Sequence, residues 1–167
     1  ESAARVPTAF QGPGFNGGGQ IQELVSLIDL PPTLLDAAGI PVPEEMGGRS
    51  ILPLTHGENA DWPEEVFMQI SEAQVGRAVR THRWKYGVDA PEKHGGQDAG
   101  SDTYVEQYLY DLQADPYELT NLIGRESHQE VIEVMRERLI RRMVEVGEDA
   151  PEIVAAKTQP GRQRRVS

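Results

Sequence analysis

Apolar residues recur at spacings of three and four at Ile132, Met135, Leu139, Met143 and Val146, the period of a helix that covers one face of its neighbour. Ser127, with Glu130 three residues on, reads as a capping box at its start. The run predicts about five turns, with Arg136, Glu137 and Arg141 on the wet side. Upstream the pattern changes to short apolar and aromatic runs. Val66 to Ile70, Ala78 to Thr81, Trp84 to Val88 and Tyr108 to Leu112 predict four strands, with His82 and Arg83 at a hairpin tip between the second and third. Residues 89–103 hold Gly95, Gly96 and Gly100 among acidic side chains and read as a flexible loop. The helical stripe needs a surface to cover, and the face of an antiparallel sheet is the nearest.

The N-terminal part is less regular. Residues 5–11 and 20–25 read as two short strands around a loop from Gly12 to Gly19. That triple glycine lacks the Lys-Ser/Thr or helix start that a phosphate cradle needs. A helix then begins at Ser26 or at Asp29. Asp29 fits better, because Pro31 and Pro32 fall in the first turn, where backbone amides have no partner inside the helix. Leu30, Leu34, Leu35 and Ala38 line its apolar face, and Gly39 closes it. Residues 40–65, cut by prolines at 41, 43, 53 and 63, read as an irregular connection and a subdomain border. The expected organisation is therefore 1–60, 61–150 and a flexible basic tail at 151–167.

A chain of 167 residues can bury a real core, and 17 glycines with 12 prolines imply short elements joined by much loop. A net charge of -11 argues against a nucleic-acid partner, which needs clustered Lys and Arg. Lys157, Arg162, Arg164 and Arg165 are the basic exception and read as a frayed end. The absence of cysteine excludes disulfides and thiolate metal sites within the chain. No run approaches the ~18 apolar residues of a membrane helix, so no membrane partner is expected. The opening Glu1-Ser2-Ala3-Ala4-Arg5, with no Met, reads as the start of a cut piece.

Asp111 and Asp115 invite a metal or paired-acid reading. A turn fits better, with Asp115-Pro116 starting a short helical segment in which the Asp carboxylate accepts backbone N–H groups. Arg77, Arg80, Arg83 and Lys85 form a local reversal of charge, readable as ion pairs with nearby carboxylates or as an anion site. His56, His82, His94 and His128 are too scattered for a zinc motif. His94, beside Lys93 and the Gly95-Gly96 pair, is the one histidine set in a loop that can reach a substrate. No serine sits in a Gly-x-Ser-x-Gly elbow, so no nucleophile is visible.

Three ordered stretches resemble the sulfatase branch of the alkaline phosphatase-like superfamily: Val25 to Gly39, with its Asp29-Leu30-Pro31-Pro32-Thr33 centre; Gly48-Arg49-Ser50-Ile51-Leu52-Pro53-Leu54; and Tyr108 to Leu122, with Leu109-Tyr110-Asp111-Leu112 and Asp115-Pro116-Tyr117-Glu118. The resemblance runs from about Arg5 through Leu122 and, more loosely, through the terminal helix. It implies a mixed α/β chain: the end of an alkaline phosphatase-like α/β domain in 1–60, then a four-stranded antiparallel sheet packed on a long C-terminal helix in 61–150.

The same resemblance implies a parent enzyme that cleaves sulfate esters with a formylglycine made from a Cys or Ser in a Cys/Ser-x-Pro-x-Arg motif, beside calcium or a similar divalent cation. Neither motif nor ligand set has a counterpart here, so this chain alone is expected to be inactive, with no catalytic residue and no metal ligand of its own. In such enzymes this part tends to frame the substrate pocket. His82 and Arg83 at the hairpin tip, with Lys93 and His94 in the loop, are therefore the expected contacts to a sulfate-ester substrate. The other expected partner is the missing N-terminal catalytic part, without which exposed apolar edges favour self-association. Two alternatives stay open: a phosphonate monoester or phosphodiester hydrolase of the same superfamily, or a non-catalytic binding or assembly module.

Overall fold

The structure is a computed structural model that describes residues 5–15, 17–58 and 61–158. The chain divides into two compact units, Glu1–Val66 and Phe67–Ser167. In the first, a 3-10 turn at Leu27–Asp29 leads into helix α1, Leu30–Ala37. Asp29 organises this start. One carboxylate oxygen accepts the Ser26 N–H at 2.7 Å and the other the Arg49 N–H at 3.0 Å. Thr33 donates its hydroxyl to the Asp29 carbonyl and accepts the Ile51 N–H at 3.0 Å. Gly48 permits this approach, because a Cβ there would lie 2.0 Å from the Ile28 carbonyl oxygen.

Two expectations for this unit are corrected. Residues 5–11 and 20–25 form no strand, since neither finds a neighbouring strand to pair with. The apolar face expected of α1 is also wrong: Leu34 is 61% exposed, while Pro32 and Thr33 are buried. The side of α1 that meets residues 48–51 selects Thr33, whose hydroxyl has a partner for both its proton and a lone pair.

The second unit is built on a five-stranded sheet in the order β1-β2-β3-β4-β5: β1 at Glu65–Ser71, β2 at Val75–Thr81, β3 at Trp84–Asp89, β4 at Thr103–Asp111 and β5 at Glu152–Val154. β2 and β3 pair antiparallel with Val79 opposite Tyr86, and β3 and β4 antiparallel with Gly87 opposite Tyr108. The register slips between Gly87 and Val88, so that Val88 faces Glu106 and Gln107 is the extra residue of a bulge. Helix α2, Gln129–Glu145, lays Ile132, Met135, Leu139 and Met143 against Val75, Val79, Tyr86, Val88, Tyr104 and Leu109 of the sheet. Among the described residues no helix is long and apolar enough to cross a membrane.

The sheet has one strand more than expected. β5 lies where a frayed tail was expected, parallel to β4 with Thr103 opposite Glu152, and Glu152 donates its N–H to the Asp102 carbonyl at 2.8 Å. A three-residue strand is too short to show a period. Arg162, Arg164 and Arg165 lie outside the described residues. α2 opens from a 3-10 turn at Glu126–His128, and Ser127 contacts the His128 ring at 2.9 Å instead of capping the helix. Val146 is half exposed because the helix ends at Glu145. Arg136 is not on the wet side: it reaches the buried carboxylate of Glu106 at 2.6 Å.

Candidate functional site

Strand β3 separates the two pairs of residues singled out for substrate contact. His82 and Arg83 sit at its start, in the tight turn where Trp84 donates its N–H to the Thr81 hydroxyl at 2.9 Å. Lys93 and His94 come after its end. Six residues at ~3.3 Å each put about 17–20 Å between the two ends, so the structure brings each pair together but does not bring the four to one place.

At the tip, Arg83 pairs with Asp111 at 2.8 Å and lies over the Trp84 ring at 4.7 Å from its centroid. Asp111 also accepts the N–H groups of Gln113 and Ala114, both at 3.2 Å. The Arg83 hydrogen bond, helped by those amides, outweighs burial and holds the Asp111 carboxyl below its ordinary range. Asp115 accepts the Thr120 N–H at 2.7 Å, as expected of a turn former, but the short helical segment expected after it is a turn at Pro116 and Tyr117 followed by irregular chain, and no helix. Next along the sheet, Lys85 pairs with Glu118 at 2.7 Å and sits over the stacked rings of Tyr108 and Tyr110. Burial acts to lower the Lys85 ammonium, and the Glu118 carboxylate outweighs it, leaving it raised. Arg77, Arg83 and Lys85 are thus held in ion pairs.

The connection 90–102 is not the loose loop its glycines suggested. Gly96 donates to the Ser71 carbonyl at 2.9 Å, and Ser71 donates its hydroxyl to the Ala99 carbonyl at 2.7 Å. Gly95 packs so closely that a Cβ would fall 2.1 Å from the Glu72 carbonyl oxygen. Within it, Asp98 accepts the His94 N–H at 2.9 Å and faces Lys93 Nζ at 3.6 Å. The His94 amide first, with Lys93 behind it, holds the Asp98 carboxyl low. The side chains of Lys93 and His94 are exposed on a turn with a fixed backbone, an arrangement that can meet an anionic ligand by charge and hydrogen bonding.

Calcium finds no fitting ligand set among the described residues, and formylglycine no precursor motif in the sequence. Among the described residues no group of three or more His, Asp or Glu could hold a metal ion, and the sequence has neither cysteine nor a Ser-x-Pro-x-Arg stretch. Ion pairing was one of the two readings of Arg77, but its partner Glu148 was not among the residues singled out, and neither was the buried cluster of Glu106 with Tyr86, Arg136 and the Ala156 N–H. The signal that Arg77 is buried was its place in the strand alternation beside Val79, on the face that α2 covers.

The comparisons with known proteins put this arrangement, a sheet backed by one long helix after a helix entered through Pro31-Pro32, in the C-terminal part of sulfatases. The chain belongs to the family described as N-sulphoglucosamine sulphohydrolase, C-terminal, which matches residues 1–145. It is 37% identical over 133 residues to arylsulfatase K of Rattus norvegicus, covering 73% of this chain and 22% of that protein. It is 35% identical over 132 residues to the Homo sapiens arylsulfatase K, covering 73% and 23%. A solved structure of a protein in complex with its substrate D-glucosamine-2-N,6-O-disulfate superposes with a TM-score of 0.55 at 25% identity, over 70% of this chain and 23% of that one. The chain thus spans under a quarter of the length of each of these relatives.

Proposed function

We propose that this chain is the C-terminal part of a sulfate-ester hydrolase, inactive alone, and that it frames the pocket in which a larger partner segment does the chemistry. The observation behind this reading is the family match over residues 1–145 in a chain that lacks a formylglycine motif and, among its described residues, a metal-binding cluster. The chain's own task is then to bind and orient. Lys93 and His94 offer a cation and an imidazole to a sulfate group, and the Arg83 tip offers a second, separate cationic edge. The substrate named for one structural relative makes a sulfated amino sugar the chemistry to try first.

The test begins with the coding sequence upstream of Glu1, read for Cys/Ser-x-Pro-x-Arg in frame with nearby Asp, Asn and His codons. The full-length chain is then assayed beside residues 1–167 on an aryl sulfate and on D-glucosamine-2-N,6-O-disulfate. Turnover by the full-length chain alone supports the reading. Turnover by residues 1–167 in proportion to their concentration sinks it, and an upstream region with a start codon and no motif points to a non-catalytic module.

A further inference from the structure

We propose that Glu148 fixes the shape of connection 90–102 through Arg77, and so positions Lys93 and His94 for substrate. This rests on the pocket-framing role proposed above. Arg77 rises from β2 with its side chain only 3% exposed. A guanidinium so placed needs a counter-charge and a partner for its N–H groups, because the interior solvates neither. Glu148 supplies the charge, accepting Nε–H with both oxygens at 2.8 and 3.1 Å. Nη1 donates to the Gly76 carbonyl at 2.9 Å and Nη2 to the Ala99 carbonyl at 2.8 Å.

Ala99 belongs to the connection, so one buried cation joins the C-terminal end of α2 to the segment that holds Lys93 and His94. The fit around it is close. The guanidinium carbon lies 5.8 Å from the Tyr104 ring centroid, and the Tyr104 hydroxyl accepts the Ser101 N–H at 3.1 Å. A Cβ on Gly100 would stand 3.2 Å from Arg77 Nη2. Glu148 is itself placed by the helix end: Gly147 turns with a φ of 89°, and Glu148 donates its N–H to the Met143 carbonyl at 2.9 Å. It lies past residue 145, where the family match stops.

Without that carboxylate the Arg77 charge is left buried, and the side chain gains by turning toward water and releasing the Ala99 carbonyl. Two measurements test this. In hydrogen exchange on the 167-residue chain, Glu148→Gln should speed the amides of residues 95–101 on the order of tenfold, while β3 and α2 keep their protection. Glu148→Asp should restore most of the difference. Unchanged exchange at 95–101 overturns the proposal. Should Glu148→Gln loosen the whole unit, Gly100→Ala presses on the same contact without removing charge: faster exchange confined to the connection supports the clamp, and none overturns it.

In the full-length chain that contains this segment, Glu148→Gln should raise KM for D-glucosamine-2-N,6-O-disulfate about tenfold with little change in kcat, as Lys93→Ala should. A raised KM for Lys93→Ala with no change for Glu148→Gln overturns the positioning role. A Lys93→Ala variant that changes nothing instead brings down the pocket reading, and the exchange data decide the clamp by themselves.

Discussion

Tyr108 lies across Gly87 on the neighbouring strand so closely that a Cβ on the glycine would fall 2.3 Å from the tyrosine ring. The ring has little room to yield, because it stacks on Tyr110 with centroids 5.7 Å apart and carries the Lys85 ammonium at 5.7 Å. Gly87→Ala should therefore destabilise the fold by about 1–3 kcal/mol, the usual cost of overpacking. A urea titration measures it. In a Tyr108→Ala background the same substitution should cost much less, since the group it strikes is gone. Equal cost in both backgrounds would contradict the packing argument.

Asp111 makes stability depend on pH in a defined direction. The Arg83 hydrogen bond is the main reason its carboxyl is lower in the folded chain than in the unfolded one. A depressed carboxyl contributes stability that is present above its unfolded value, ~3.9, and is lost as pH falls through the folded value. Asp111→Asn should lower the unfolding midpoint at pH 7, and its gap from the parent chain should close as pH falls below ~4. A gap that stays constant between neutral and acid pH would rule out this carboxylate as the source.

The sequence pattern revealed what depends on neighbours along the chain and missed what depends on partners far away. The stripe of α2 was legible because each inward position must be apolar over several turns, and Ile132, Met135, Leu139 and Met143 are all buried. Arg136 was misplaced because Glu106, thirty residues away in sequence, draws it to the sheet. β5 was missed because three residues show no period, and its support comes from pairing with β4 and from the Asp102 carbonyl. In connection 90–102 the glycines suggest freedom, whereas Gly95 serves close approach to Glu72. The hairpin tip at His82 and Arg83 was legible as a turn between β2 and β3. Its distance from Lys93 and His94 was not, because β3 sets it.

Glu106 joins three elements that are remote in sequence. Its side chain is 2% exposed and accepts from Tyr86 Oη at 3.0 Å, from Arg136 Nη2 at 2.6 Å and from the Ala156 N–H at 2.9 Å. Arg136→Met should cost about 3 kcal/mol by stranding a buried carboxylate, and Tyr86→Phe about 1–1.5 kcal/mol for one hydrogen bond. Burial first, then the Glu106 charge, pushes the Tyr86 phenol far above its ordinary value. A raised phenol contributes stability that is full below its unfolded value, ~10, and drains away as pH rises beyond it. The difference between the parent chain and Tyr86→Phe should therefore narrow above pH ~10, followed by denaturant midpoints and by tyrosinate absorbance. A difference that holds steady into alkali would separate Tyr86 from that loss.

The first unit leaves large apolar side chains to water: Leu27 is 71% exposed, Ile28 52% and Leu34 61%. Each such side chain gains on the order of 1.5–3 kcal/mol when fully covered, so a surface of this kind favours any partner that can lie on it. With the chain alone in solution, the available partner is a second copy. Light scattering coupled to gel filtration should show a mass that rises with concentration through the micromolar range, and Leu34→Glu, which puts a charge where a contact would have to be dry, should return it toward the monomer. A monomer at every concentration would mean that these side chains are too dispersed to make an interface. If the chain is part of the larger enzyme proposed above, the same Leu34→Glu change in that enzyme tells the two covers apart. Lost stability there places the side chain against the rest of the parent, and unchanged stability leaves it facing water in both settings.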